Sequence, residues 1–121
     1  MKTAVVYWSG TGNTEAMAQE VEQGMKDAGA EAEVFEAAAF SGDKMAEYDA
    51  IAFGCPSMGT EELEDSEFLP MFEAVKNCLA GKKVALFGSY GWGDGEWMRN
   101  WEADCAAAGI SLACDSVICQ E

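Results

Sequence analysis

The stretch Ser9-Gly10-Thr11-Gly12-Asn13-Thr14 sets three hydroxyls, an amide and two glycines in consecutive positions. Glycines let a backbone approach a ligand closely, and a helix starting here would add free N–H groups and a partial positive charge. Such a turn suits a phosphate. A nucleotide-hydrolysing loop needs G-x-x-x-x-G-K-[ST], and no lysine follows these glycines. A dinucleotide fingerprint needs a third glycine where the chain has Glu15. What remains is a cation-free cradle for a phosphate monoester that is held rather than cleaved. The chain contains no histidine, which excludes zinc-hydrolase, Ser-His-Asp and Cys-His mechanisms. Its five cysteines (Cys55, Cys78, Cys105, Cys114 and Cys119) include no C-x-x-C pair and read mostly as small core residues of a reduced chain. Chemistry would then belong to a bound cofactor.

Two further stretches carry unusual residues. In Gly88-Ser89-Tyr90-Gly91-Trp92-Gly93-Asp94-Gly95, glycines flank Trp92 and leave its ring without bulky neighbours. Trp97 and Trp101 have the spacing of core residues, whereas Trp92 reads as a face for stacking on a planar ring. In the other stretch, Met58 places a polarisable side chain in a loop beside Gly59, whose peptide could flip cheaply, and Glu61 can accept hydrogen bonds from ring N–H groups. The remaining acids up to Glu67 read as a solvated loop and helix start. A phosphate cradle, an indole face and a carboxylate acceptor describe a planar, phosphorylated heterocycle.

The elements that must position these residues alternate. Ala4–Trp8 reads as a buried strand, and Met17, Val21, Met25 and Ala28 form one stripe of a helix over Thr14–Ala28, stopped by Gly29. Gly24 inside that helix would mark close packing on the sheet. Glu31–Phe35 is a second strand, Phe40–Tyr48 a loop with a helical turn around Asp43–Glu47, and Asp49–Gly54 a third strand. Ser66 would cap a helix striped by Phe68, Leu69, Phe72, Val75 and Leu79, with Pro70 in its first turn and Gly81 at its end. Lys82–Phe87 is the fourth strand. Trp97, Trp101, Cys105 and Ala108 stripe the next helix, closed by Gly109. Ile110–Ala113 and Val117–Ile118 make a final strand, interrupted at Asp115-Ser116. This alternation predicts one α/β domain over residues 1–121, a doubly wound five-stranded parallel sheet in the order 2-1-3-4-5. Ligands of such sheets bind outside the carboxyl ends of the strands, where residues 9–14, 55–66 and 88–96 would lie.

With 22 acids against seven bases the net charge is −15, which argues against nucleic acid and anionic membranes and favours partners with basic patches. No apolar run approaches a membrane span and the first residues are too short for a signal peptide, so a cytoplasmic protein is expected.

The chain resembles the short-chain flavodoxins of anaerobic bacteria. The resemblance rests on Tyr7-Trp8-Ser9-Gly10-Thr11-Gly12-Asn13-Thr14-Glu15, on Met58-Gly59 and on the stretch Gly88–Gly95, and it runs through Cys119. It implies non-covalently bound FMN and one-electron transfer at low potential between redox proteins, without a substrate reaction of the chain's own. By match to the motif, Ser9, Thr11, Asn13 and Thr14 would hold the phosphate, with backbone N–H groups. Met58 and Trp92 would lie against the two flavin faces. Glu61 would bond the pyrimidine edge, with backbone from Ser89, Tyr90, Gly91 and Trp92 on the same rim. Gly59–Thr60 would turn its carbonyl toward flavin N5 once that nitrogen is protonated. Gly10, Gly12, Ser57 and Gly95 complete the expected cofactor-binding set. Thr60 departs from the Asp, Asn, Gly or Ser that the family often has there, and its β-branch would stiffen the flip.

Family members continue past the fifth strand into a last helix, which this sequence lacks. The expected consequence is a bare apolar face over the third and fourth strands, and hence self-association or descent from a longer form. Two rival readings are an FMN reductase or quinone oxidoreductase of the same fold, and a receiver-type signalling domain. The first would need residues over the flavin that this short chain does not have to spare. The second lacks its acidic pocket, because Ser9 and Gly54 follow the relevant strands.

Overall fold

Side-chain alternation along β1 (Lys2–Tyr7) divides the core in two. Ala4 and Val6 point into one hydrophobic cluster, Val5 and Tyr7 into the other. The computed structural model describes residues 2–10, 12–58, 63–79, 81–91, 95–110, 112–113 and 116–120. After β1 come α1 (Asn13–Asp27), β2 (Glu31–Glu36), β3 (Ala50–Gly54), α2 (Phe68–Val75), β4 (Lys83–Tyr90), α3 (Glu96–Ala107) and β5 (Val117–Gln120). Every ladder is parallel and the order is β2-β1-β3-β4-β5, as the strand–helix alternation predicts. The chain runs from β1 to β2 on one side, then returns past β1 to β3. That reversal opens a crevice at the carboxyl ends of β1 and β3.

α1 covers one face, where Ala18 meets Val5, Tyr7, Ala52 and Phe87. α2 and α3 share the other, placing Phe68, Phe72, Trp97 and Trp101 on Val6, Ile51, Phe53, Val84 and Leu86. The rings of Phe68 and Phe72 meet Trp101 edge to face, at centroid distances of 5.4 and 5.6 Å.

Several boundaries differ from expectation. β4 runs on through Gly88, Ser89 and Tyr90, because β5 pairs with those residues (Phe87 with Val117, Tyr90 with Gln120). Leu112 makes only a single bridge to Val84, so β5 starts after the predicted interruption. Gly24 does not mark close packing on the sheet: among the described residues beyond its own helix, a Cβ there would meet no atom within 4 Å. Ser66 does not cap α2. The cap is the buried Glu64, discussed below.

The α1 face is better covered than predicted. α1 packs on β1, β2, β3 and β4, and Phe87 lays its ring over Gly54, leaving Ala52 and Phe87 buried and Ala85 half-buried. Among the described residues, bare large apolar surface on this face lies instead at Val117 of β5, which is 57% exposed and in register with Phe87.

Candidate functional site

The first loop leaves β1 through Trp8, whose N–H extends the ladder to Gly54 O at 3.0 Å. The indole Nε1 donates to Glu67 Oε1 at 2.9 Å, tying the end of β1 to the start of α2. The loop then folds over the ring: a Cβ on Gly10 would come within 3.1 Å of it. Ser9 Oγ accepts the Gly12 N–H at 3.0 Å, which closes the turn. Gly12 has φ +94°, a left-handed conformation that favours glycine, and it stands at the N-terminus of α1 with no side-chain cap. Among the described residues beyond its own helix and chain neighbours, no atom lies within 4 Å of where its Cβ would be.

The second loop continues β3 against β4. Cys55 N–H donates to Phe87 O at 3.2 Å and Ser57 N–H to Ser89 O at 2.9 Å. Met58 follows, half-buried. The third segment is the end of β4 and the start of α3. Gly88 is required where it stands, since a Cβ would fall on the Cys55 carbonyl. That same carbonyl accepts the Trp97 indole N–H at 3.2 Å. Gly95 opens α3 with φ +91°, and Tyr90 lies half-buried with its ring 5.5 Å from Trp97.

Ser89 joins all three segments. Its carbonyl takes the Ser57 N–H, and its hydroxyl pairs with Thr14 Oγ1 at 2.9 Å, both residues being 1% exposed. Thr14, expected to face the phosphate, pairs its hydroxyl with Ser89, while Ser9, Gly10, Gly12 and Asn13 make up the turn before it. Of the sequence-predicted residues, Thr11, Gly59, Thr60, Glu61 and Trp92 lie outside the described residues.

Sequence reasoning missed Glu64. One of a run of acids, it reads as solvated but is 5% exposed. Its carboxylate accepts from the backbone N–H groups of Ser66, Glu67 and Phe68, each at 2.8 Å, and from the Ser66 hydroxyl. Burial by itself would raise its pKa. The Ser66 hydroxyl and the three N–H groups outweigh that and hold the carboxyl below its ordinary value. Nothing in the local sequence separates it from Asp65 or Glu67.

Negative charge gathers at the same end of the sheet. The Tyr7 phenol is raised by burial and then by Glu15 and Glu36. A small hollow of about 90 Å³ lies among Tyr7, Trp8, Ser9, Glu36, Ala37, Ala38 and Glu67. The Cys55 thiol is pushed up to about 12, mostly by burial, so it is no nucleophile at neutral pH.

A sequence model of the flavodoxin family, described as Flavodoxin, matches residues 5–121. The chain is 49% identical over 114 residues to the flavodoxin of Megasphaera elsdenii, a match spanning 94% of this chain and 83% of that protein. This chain belongs to the flavodoxin family. It is 48% identical over 98 residues to the flavodoxin of Clostridium beijerinckii, covering 81% of this chain and 71% of that one. Its fold matches the solution structure of two-electron reduced Megasphaera elsdenii flavodoxin with a TM-score of 0.90 at 48% identity, over 96% of this chain and 85% of that one. A flavodoxin from the domain Archaea matches with a TM-score of 0.88 at 28% identity, over 100% and 84%.

As a flavodoxin, the chain is an FMN-binding electron carrier rather than an enzyme, and the reductase reading is not favoured. The residues present fit the cofactor. An uncapped helix start behind a left-handed glycine, with the Ser9 hydroxyl in the turn and no cation among residues 9–14, offers dipole and N–H groups to a bound phosphate.

Proposed function

We propose that this flavodoxin is a low-potential carrier whose FMN phosphate sits in the turn formed by Ser9, Gly10, Thr11, Gly12, Asn13 and Thr14. FMN, when bound, accepts and releases electrons one at a time. Met58 and Trp92 lie against the two faces of the ring system. Glu61 and the backbone of Ser89, Tyr90 and Gly91 take its polar edge, with Ser57, Gly59, Thr60 and Gly95 completing the contacts. The observation that supports this most is the tie at Ser89, which holds the first loop to β4 through Thr14 and the second through Ser57.

The acids do the electrostatic part. Glu15 and Glu36 act on Tyr7 beside the turn, and Glu67 is bonded to Trp8. Added negative charge on a ring bound among them is disfavoured, and each 1.4 kcal/mol of that moves a one-electron potential by about 60 mV. The same charge suits donors and acceptors with basic patches. No helix among the described residues is long and apolar enough to cross a membrane. Cys55, Cys78 and Cys105 are free thiols, which suits work in a reducing cytoplasm.

Titration of apoprotein with FMN tests the site. Trp92→Ala is expected to weaken binding by about 1–3 kcal/mol through lost stacking, by analogy with base–aromatic contacts. Ser9→Ala should weaken binding of FMN while sparing riboflavin, which has no phosphate. Equal affinities for FMN in wild type and both variants would overturn the assignment.

A further inference from the structure

Gly10 and Gly12 stand in one turn for different reasons. Gly12 has φ +94°, whereas Gly10 is not among the glycines with positive φ. The backbone at Gly10 would therefore accept any residue. What opposes a side chain there is Trp8. A Cβ on Gly10 would stand 3.1 Å from Cη2 and 3.2 Å from Cζ3 of the indole, the only atoms within 4 Å among the described residues beyond its chain neighbours. The Gly10 backbone thus rests on the outer edge of the Trp8 ring. The Ser9–Gly12 bond spans Gly10 without holding it.

The ring is itself held in place. Strand alternation turns Tyr7 toward α1 and Trp8 toward the other face, where it packs half-buried against the cluster under α2 and α3. Its backbone N–H is paired with Gly54, and its indole Nε1 donates to Glu67 Oε1 at 2.9 Å. Glu67 is fixed in turn at the start of α2. Its N–H donates to Glu64 Oε1 at 2.8 Å, and its carbonyl accepts the Met71 N–H at 3.3 Å. Core packing alone needs neither a carboxylate at the indole N–H nor a glycine two residues on. A line of contacts therefore runs from α2 through Glu67 and the Trp8 ring to the Gly10 backbone.

We propose that Trp8 is a positioning residue for the FMN phosphate: its ring seats the Gly10 backbone, and Glu67 sets the angle of the ring. This rests on the reading that residues 9–14 hold the phosphate. Backbone N–H groups bind an anion best when they are in place before it arrives, because ordering them on binding costs affinity. Removing the ring leaves a gap beneath Gly10, and the turn has to be held in shape by the phosphate itself. Riboflavin has no phosphate and does not draw on the seat, so its affinity is the internal reference.

The test titrates apoprotein with FMN and with riboflavin, in wild type and in Trp8→Leu, Gly10→Ala, Glu67→Gln, Glu67→Ala and Ser9→Ala. Trp8→Leu is expected to lower the ratio of FMN to riboflavin affinity about tenfold. Glu67→Gln and Glu67→Ala lose the same charge, but only the first keeps an oxygen for the indole N–H. The ratio should therefore be about threefold higher in Glu67→Gln than in Glu67→Ala. Gly10→Ala should lower the ratio, and lower it less in a Trp8→Leu background, where the Cβ has room. The two Glu67 variants change an exposed side chain and carry the test if Trp8→Leu does not fold. A merely structural Trp8 predicts a lower melting temperature with the ratio unchanged. That result, with Ser9→Ala lowering the ratio, overturns the positioning role and spares the phosphate reading. Equal ratios in the two Glu67 variants, or additive effects of Trp8→Leu and Gly10→Ala, overturn it as well. If Ser9→Ala also leaves the ratio at its wild-type value, the phosphate reading fails and this inference with it.

Discussion

Thr14 Oγ1 and Ser89 Oγ lie 2.9 Å apart, from residues 75 positions apart in sequence and each 1% exposed. The pair crosses from the first turn of α1 to the end of β4. Removing one hydroxyl leaves the other buried without its partner, which costs about 1–3 kcal/mol, whereas removing both costs less than the sum. Thr14→Val and Ser89→Ala should each lower the unfolding free energy by that amount in urea titrations. The double variant should recover part of the loss. Strict additivity would show that the two hydroxyls do not depend on each other.

The lowered pKa of Glu64 gives stability a pH dependence of definite sign. A carboxyl whose pKa is depressed by folding stabilises the native state fully above its unfolded value, about 4.3 for glutamate. The contribution is lost as pH falls through the folded value. The difference in unfolding free energy between wild type and Glu64→Gln should therefore be flat from neutral pH to about pH 5 and shrink below about pH 4. A difference that widened on acidification would contradict the lowered pKa.

Thiol reactivity should follow burial. Cys55 is pushed up to about 12 and Cys105 to about 11, in both cases chiefly by burial, while Cys78 is exposed. Only thiolate reacts, so brief iodoacetamide treatment at pH 8 should label Cys78 and leave Cys55 and Cys105 intact until the chain is unfolded. Peptide mass mapping reads the result. Early labelling of Cys55 would mean that its pocket opens in the native state.

Two glycines should respond in opposite ways to alanine. Gly24 is exposed in the interior of α1 with open space around it, so Gly24→Ala is expected to stabilise by about 0.5–1 kcal/mol. Gly88 faces the Cys55 carbonyl, and Gly88→Ala has to push β3's exit away from β4, at a cost of about 1–3 kcal/mol. Thermal unfolding of the two variants distinguishes them. A neutral Gly88→Ala would mean that the β3 exit can shift freely.

The strand–helix alternation and the glycine-rich turn after β1 were legible because each is local, and the sheet order follows from the alternation. Short continuous apolar runs mark the buried strands, and Gly10 and Gly12 beside hydroxyls at a strand end mark the turn expected to take an anion. The placement of α1 opposite α2 and α3 follows as well, from right-handed crossovers applied to that order. What depends on contacts between distant segments was not legible. Ser89 stood in a glycine-rich stretch, and only pairing with β5 extends β4 through it and turns its hydroxyl to Thr14. Glu64 was one acid among several, and only the approach of Cys55 and the turn into α2 distinguish it from Asp65. The missing last helix also suggested a barer face than the described residues show. Which residues a helix covers depends on where it lies across the strands, and here Phe87 folds over Gly54 while Val117 alone of that face's large apolar residues, among those described, stays open.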